Sequence, residues 1–226
     1  MTLKTISQRL KDIELFLEYA VPRADQARAL ELVKRHETDI IALNIFEAFY
    51  RFLPEAEDDF IKVLRLIARK EGTFLVCATT CLGNYLYLAS TEKAVLIGVH
   101  GEGIPDPEVL DFFDFKDNVD FLKKSNPVEK FPVYVPASLQ VDLCPICNAA
   151  HGECHTLGCP VEICPWCGGQ LTRCECRFKE LGLEHLFTES DFEAFAEKLN
   201  KKGRVPFDAE EHRPGYLGES KGPDSE

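Results

Sequence analysis

The chain has 226 residues, 45% of them apolar and 28% charged, with a formal net charge of -12 at pH 7. This is the composition of a soluble globular protein of one or two domains, and it excludes a fibrous or wholly disordered chain. The acidic balance argues against nucleic acid as a partner, because affinity for phosphate rests on cationic residues that displace counterions. No apolar run approaches the roughly eighteen residues of a membrane span, and the amphipathic start is not a charged-then-apolar leader. The expected compartment is the cytoplasm, where thiols stay reduced.

Residues 5 to 20 read as an amphipathic helix, with Ile6, Leu10, Ile13, Leu17 and Ala20 on one face, and Pro22 closes it. Residues 23 to 36 form a second helix. Thr38 is the expected cap of a third, whose Ile40, Ile41, Leu43, Ile45, Phe46, Phe49 and Phe52 imply burial on more than one side. Pro54 suits the first turn of a fourth helix, since the acidic Glu55, Glu57, Asp58 and Asp59 and the later Lys62, Arg65, Arg69 and Lys70 match a helix dipole. Gly72 stops it. Helices are thus expected to about residue 71 and a small sheet from residue 73.

Residues 73 to 80, 85 to 90 and 94 to 99 read as an antiparallel meander turning at Gly83-Asn84 and at Ser90 to Lys93. A Gly/Pro loop follows over 101 to 107, and Pro107 to Lys124 fits a helix or two. Phe131-Pro-Val-Tyr-Val-Pro136 is an extended edge strand or linker, because its prolines cannot donate to a ladder. This α+β domain ends near residue 140. A module at 141 to 178 precedes a connector and a C-terminal helix over 179 to 203, with Ser190 as cap, Phe192, Phe195, Ala196 and Leu199 on one face and Gly203 at the end. Residues 204 to 226 are rich in Pro, Gly and charge. They are expected to be disordered or draped on the surface, with Phe207 and Tyr216 as aromatic anchors. No internal repeat is evident.

The chemistry concentrates between Cys144 and Cys176, which hold eight of the ten cysteines. Two Cys-x2-Cys pairs, each able to point two thiolates at one ion, signal metal. A sequential parsing gives Cys144, Cys147, His155 and Cys159 (C-x2-C-x7-H-x3-C) on one ion. Cys164, Cys167, Cys174 and Cys176 (C-x2-C-x6-C-x-C) take a second. An interleaved set, with Cys144, Cys147, Cys164 and Cys167 on one ion, uses the same eight residues, so the pairing stays open. His151 or Cys154 can replace His155 by a small loop shift. Two zinc ions are expected, each tetrahedral and structural; iron is the less favoured alternative, since thiolate ligands alone do not choose the metal, and a disulfide framework requires an oxidising compartment that nothing in the sequence marks. Four acidic residues oppose two arginines in the module. Thiolates on zinc add negative charge, so metal here does not imply DNA binding.

The run from His155 through Gly158-Cys159, Glu162, Cys164-Pro-Trp-Cys167-Gly, Gln170-Leu171 and Cys174-Glu-Cys176 resembles a C-terminal motif of functionally uncharacterised bacterial proteins, H-x-x-G-C-x-x-E-x-C-P-x-C-G-x-Q-L-x-x-C-x-C. Pro160 stands where such proteins often carry Asp, which touches no ligand. The resemblance covers the 22 residues from His155 to Cys176 and implies a zinc-ribbon-like module without naming an activity.

Elsewhere, Cys77 and Cys81 read as packed core thiols. His100, before Gly101-Glu102-Gly103, reads as a surface-loop residue, or alternatively as part of an enzyme cleft. No dinucleotide or Walker loop is present, and the deaminase H-x-E pattern is only partly imitated. The reading that follows is a cytoplasmic zinc-binding interaction or regulatory module whose metals hold a rigid surface for another protein, with the knuckle around Trp166 as its contact. The alternatives are an enzyme or redox protein, using a cleft near His100 or iron and reactive thiols in the knuckles, and, more weakly, a nucleic-acid accessory factor.

Overall fold

The computed structural model describes residues 5 to 55, 57 to 136, 142 to 186 and 188 to 211. The fold is α+β, with helices, a small four-stranded antiparallel sheet, C-terminal cysteine clusters and a closing helix. The chain divides into two compact units, residues 1 to 141 and 142 to 226.

In the first unit, α1 (Ile6–Ala20), α2 (Arg23–Arg35) and α3 (Ile40–Phe52) precede the sheet. Thr5 opens α1 with a reciprocal capping box to Gln8, satisfying two helix-end N–H groups. The cap of α3 is Asp39 rather than Thr38. Its carboxylate accepts from the Ala42 N–H at 2.8 Å and from the Tyr134 hydroxyl at 3.1 Å, a second bond that a Thr one residue earlier does not supply. α3 is almost wholly apolar and is buried nearly all round, packing on α1 and on the sheet.

The expected helix from Pro54 to about residue 71 does not form. Leu53, with φ of 30°, breaks the chain out of α3, and residues 63 to 70 are a strand, β1 (Val63–Lys70). The charges that resembled helix ends have other partners. Arg65 donates to the Phe131 carbonyl at 2.8 Å, Lys70 meets Asp114 at 3.0 Å, and buried Asp59 accepts from the Phe60 and Cys81 N–H groups. Glu71 and Gly72, both with positive φ, form the two-residue turn that a twisted hairpin favours. β1 thus pairs with β2 (Thr73–Thr79), followed by β3 (Asn84–Ala89) and β4 (Ala94–Val99), in the order β1-β2-β3-β4. Its outer edge is covered by residues 131 to 134: Leu66 N–H donates to the Pro132 carbonyl and Tyr134 N–H to the Leu64 carbonyl. Pro132 accepts where it cannot donate, which is how an edge tolerates proline.

β2 is buried on both faces. Leu75 and Cys77 pack with Leu110, Phe113 and Phe121 from α4 (Pro107–Phe112), its C-cap, and α5 (Asn118–Ser125). The ring contacts of Phe49 with Tyr85 and of Phe74 with Tyr134 lie in the packing between α3, the sheet and the 131 to 136 segment. β4, an apolar run in sequence, is an edge strand that leaves Val95 and Leu96 exposed. Among the described residues no helix is long and apolar enough to cross a membrane.

The second unit contains α6 (Cys176–Leu181), in the stretch expected to be connector, and α7 (Glu189–Lys202). Thr188, not Ser190, caps α7: its hydroxyl accepts from Asp191 N–H while the Asp191 carboxylate accepts from Thr188 N–H. Residues 204 to 211 are not a free tail. Phe207 is buried among Cys144, Cys147, Ala149, Cys159 and Val161, where an aromatic ring covers thiols too small to build a core themselves. The rest of the expected tail, with Tyr216, lies outside the described residues.

Candidate metal centre

The two Cys-Pro-x-Cys segments fold as the same knuckle, twenty residues apart. Cys144 N–H donates to the Ala149 carbonyl at 2.8 Å and Asn148 N–H to the Cys144 carbonyl at 2.9 Å. Cys164 N–H to Gly169 at 2.7 Å and Gly168 N–H to Cys164 at 2.9 Å repeat the pattern. Single bridges, Leu143 with Ala150 and Ile163 with Gln170, close each hairpin at the same register. The residue after each second cysteine is left-handed, Asn148 at φ of 59° and Gly168 at 74°, and Asn and Gly are the residues that take this conformation at least cost. A repeat is therefore present, contrary to the sequence reading. Its signal was the doubled Cys-Pro-x-Cys.

Each knuckle is completed by the pair of ligands that follows it. The side-chain ligand atoms of Cys144, Cys147, His155 and Cys159 lie within 4.8 Å of one another, and so do those of Cys164, Cys167, Cys174 and Cys176. The gathering is sequential rather than interleaved. Cys154 lies in neither group, and His151 is exposed, its Nδ1 accepting from Ala209 N–H at 3.3 Å and lying 3.9 Å from Asp208.

The first tetrad fits a tetrahedral ion. With metal–sulfur bonds of about 2.3 Å, a tetrahedron has sulfur–sulfur edges of about 3.8 Å. Cys144 and Cys159 Sγ are 3.9 Å apart. His155 Nδ1 stands 3.3 Å from Cys147 Sγ, so Nδ1 is the ring nitrogen that faces the sulfurs and could serve a metal ion. Thiols crowded this closely oppose one another's ionisation. Hydrogen bonds from Cys144 and Cys159 pull Cys147 far below the thiol range, while those with Cys144 and Cys147 push Cys159 far above it. Burial works against the His155 imidazolium, but hydrogen bonds to Cys144 and Cys147 outweigh it and push the group up to about 9. A divalent cation relieves this conflict by holding all three sulfurs as thiolates.

Sequence reasoning missed the group between the tetrads. Glu162 is wholly buried and its Oε1 accepts from Arg204 at 2.8 Å, while the same guanidinium also donates to the His155 carbonyl. Burial raises the Glu162 carboxyl above its usual range, against the pull of Arg204. Its Oε2 and the His155 Nε2 are both buried without a hydrogen-bond partner among the described residues. No local pattern reveals a pair 42 residues apart.

The second tetrad is built on a different surround. Cys164 is buried and its thiol raised by burial, Cys174 and Cys176 are half-buried, and Cys167 is exposed. Cys176 is the first residue of α6, and Cys164 and Leu171 pack with Phe195 and Leu199 of α7. Trp166 joins this cluster half-buried, its ring 6.4 Å from Phe195, so it packs within the module rather than standing free on the knuckle. The corresponding position of the first knuckle is Ile146, which is exposed.

The other candidates lie outside both tetrads. His100 is buried rather than on a surface loop or in a cleft, its Nε2 held 3.0 Å from Ser125 Oγ and its ring against Phe121. Cys77 is core, its thiol pushed up to about 12 by burial, but Cys81 is exposed, not packed. Comparisons with protein-family models, with curated proteins and with solved structures gave no match.

Proposed function

We propose that the C-terminal unit is a two-zinc structural module in a cytoplasmic protein, and that its metals hold a small rigid surface on which another protein docks. The observation that carries this reading is the pair of complete tetrads. Four protein ligands per ion is the stoichiometry of structural zinc, whereas catalytic zinc keeps a position for water. The resemblance of residues 155 to 176 to the bacterial zinc-ribbon-like motif supports the same reading. Zinc here supplies folding energy: with few large apolar residues between the knuckles, metal binding and folding are one event, worth on the order of 10 to 16 kcal/mol in peptide systems. The docking part of the reading is supported by exposed Ile146, Leu157 and Phe192. A cavity of about 460 Å³, lined by Leu157, Leu171, Phe178, Leu186, Phe192 and Phe195, adds to it and suits a partner with apolar side chains.

Elemental analysis of the purified chain tests the metal part, with two zinc ions and no colour expected. One ion per chain, or red or brown protein containing iron, overturns it. Capture of partners by wild type and by the double variant Ile146→Ser, Phe192→Ser tests the docking part. The variant is expected to keep both zinc ions and lose the partner, and an unchanged capture profile rejects this surface.

A further inference from the structure

The two tetrads differ in what stands between their sulfurs and solvent. Every ligand of the first is buried, and the 204 to 211 segment covers it. The Phe207 ring lies 5.3 Å from His155, Phe207 N–H donates to the Glu153 carbonyl at 2.7 Å, and Gly152 N–H donates to the Phe207 carbonyl at 2.8 Å. In the second, Cys167 stands exposed between exposed Gly168 and half-buried Trp166. Of the ten cysteines, Cys81 and Cys167 are the exposed ones, and only Cys167 belongs to a tetrad. A thiolate reacts in proportion to its thiolate character and its accessibility.

Resting on the two-zinc reading, we propose that the second tetrad is a peroxide-sensitive thiol centre: oxidation entering at Cys167 releases its zinc and undoes the docking of α6 and α7, while the first tetrad stays closed. The chemistry balances with a hydroperoxide as oxidant. Cys167 sulfur attacks one peroxide oxygen, the O–O bond breaks, and the departing hydroxide takes a proton to become water, leaving a sulfenic acid. A second thiolate of the tetrad attacks that sulfur. The S–S bond forms, the S–O bond breaks, and the oxygen leaves as a second water after protonation. Two thiolates have lost two electrons, the peroxide has gained them, and zinc, left with two sulfur ligands, passes to solvent. The structural consequence follows from attachment. Cys176 begins α6, and Cys164, Cys174 and Cys176 belong to the cluster that holds Phe195 and Leu199 of α7. Losing the ion therefore loosens both helices and changes the surroundings of Trp166.

The test uses the full chain with Cys81→Ser as background, its zinc counted first. Fewer than two zinc ions at this stage refutes the underlying reading, not the present one. Hydrogen peroxide is then added with a chromogenic zinc chelator present, and disulfides are mapped by mass. The expected result is release of one zinc at least tenfold faster than the other, a disulfide confined to Cys164, Cys167, Cys174 and Cys176, a shift in Trp166 emission, and recovery with reductant and zinc. Simultaneous release of both ions, or disulfides first at Cys144, Cys147 or Cys159, overturns the proposal. Cys167→His keeps a nitrogen ligand while removing the exposed sulfur, and is expected to slow the first release at least tenfold. Unslowed release from a Cys167→His protein that still holds two zinc ions also overturns it, and if that variant fails to load zinc the disulfide map of the parent decides.

Discussion

Replacing Glu162 by Ala removes one partner of a buried ion pair and leaves the Arg204 guanidinium, 13% exposed, with no carboxylate. Breaking a buried pair from one side costs about 3 to 5 kcal/mol, because the stranded charge keeps its desolvation penalty and loses its attraction. The Glu162 backbone is already tied on both sides, its N–H to the Cys159 carbonyl at 3.1 Å and its carbonyl to the N–H of Leu171, which packs beside Cys164, at 2.8 Å, so the loop has little room to adjust. On the two-zinc reading, in which metal binding and folding of the module are one event, the loss is expected as weaker zinc binding, about two to three and a half decades at 1.4 kcal/mol per decade. Competition with a chelator of known affinity measures it, with Trp166, the only tryptophan, reporting the module alone. Glu162→Ala combined with Arg204→Met is expected to be less damaging than the sum of the two single changes by about 2 kcal/mol, since neither charge is then left alone. A single variant that binds both zinc ions as tightly as wild type, or a strictly additive double variant, refutes the reasoning.

Two further outcomes concern packing. Trp166→Ala is expected to keep both zinc ions and to lower the stability of the module by about 2 kcal/mol, roughly half the cost of truncating a fully buried tryptophan; melting followed by near-ultraviolet dichroism measures this, and an unshifted transition removes Trp166 from the α7 contact. In the first unit, Cys81 is expected to react with a thiol reagent at pH 8 while Cys77 stays unlabelled until the domain unfolds. The folded-state pKa of Cys77 is raised, so the stability it contributes is fully present below the unfolded value near 9 and is lost as pH rises towards about 12, at about 1.4 kcal/mol per pH unit. Labelling at fixed times and denaturant midpoints across pH 8 to 11 test this, and equal labelling of the two thiols contradicts it.

What could be read from the sequence was what chemistry keeps local. The eight residues now gathered in two tetrads lie within one stretch of 33, and knuckle ligands must be close in sequence to converge on one point. α1 and the strands from 73 to 99 were legible for a similar reason, since their period and turn residues are properties of short windows. The same window logic failed over 54 to 70. Ordered charges imitate a helix dipole there, and only Cys77, Val76 and their neighbours on β2, with the Pro132 carbonyl and the Tyr134 N–H on the other side, make a strand the better partner. The knuckle repeat lay in plain view as Cys-Pro-x-Cys and needed only the comparison of two windows. Tertiary structure alone decided the rest. His100 became core because Ser125 and Phe121 arrive from α5, and Phe207 and Arg204 became part of the module because they close over His155 and Glu162. Burial depends on what distant segments supply, so the sequence by itself determined which atoms are able to bind metal, and the packing of α7 and the 204 to 211 segment decided that one tetrad is sealed and the other open to solvent.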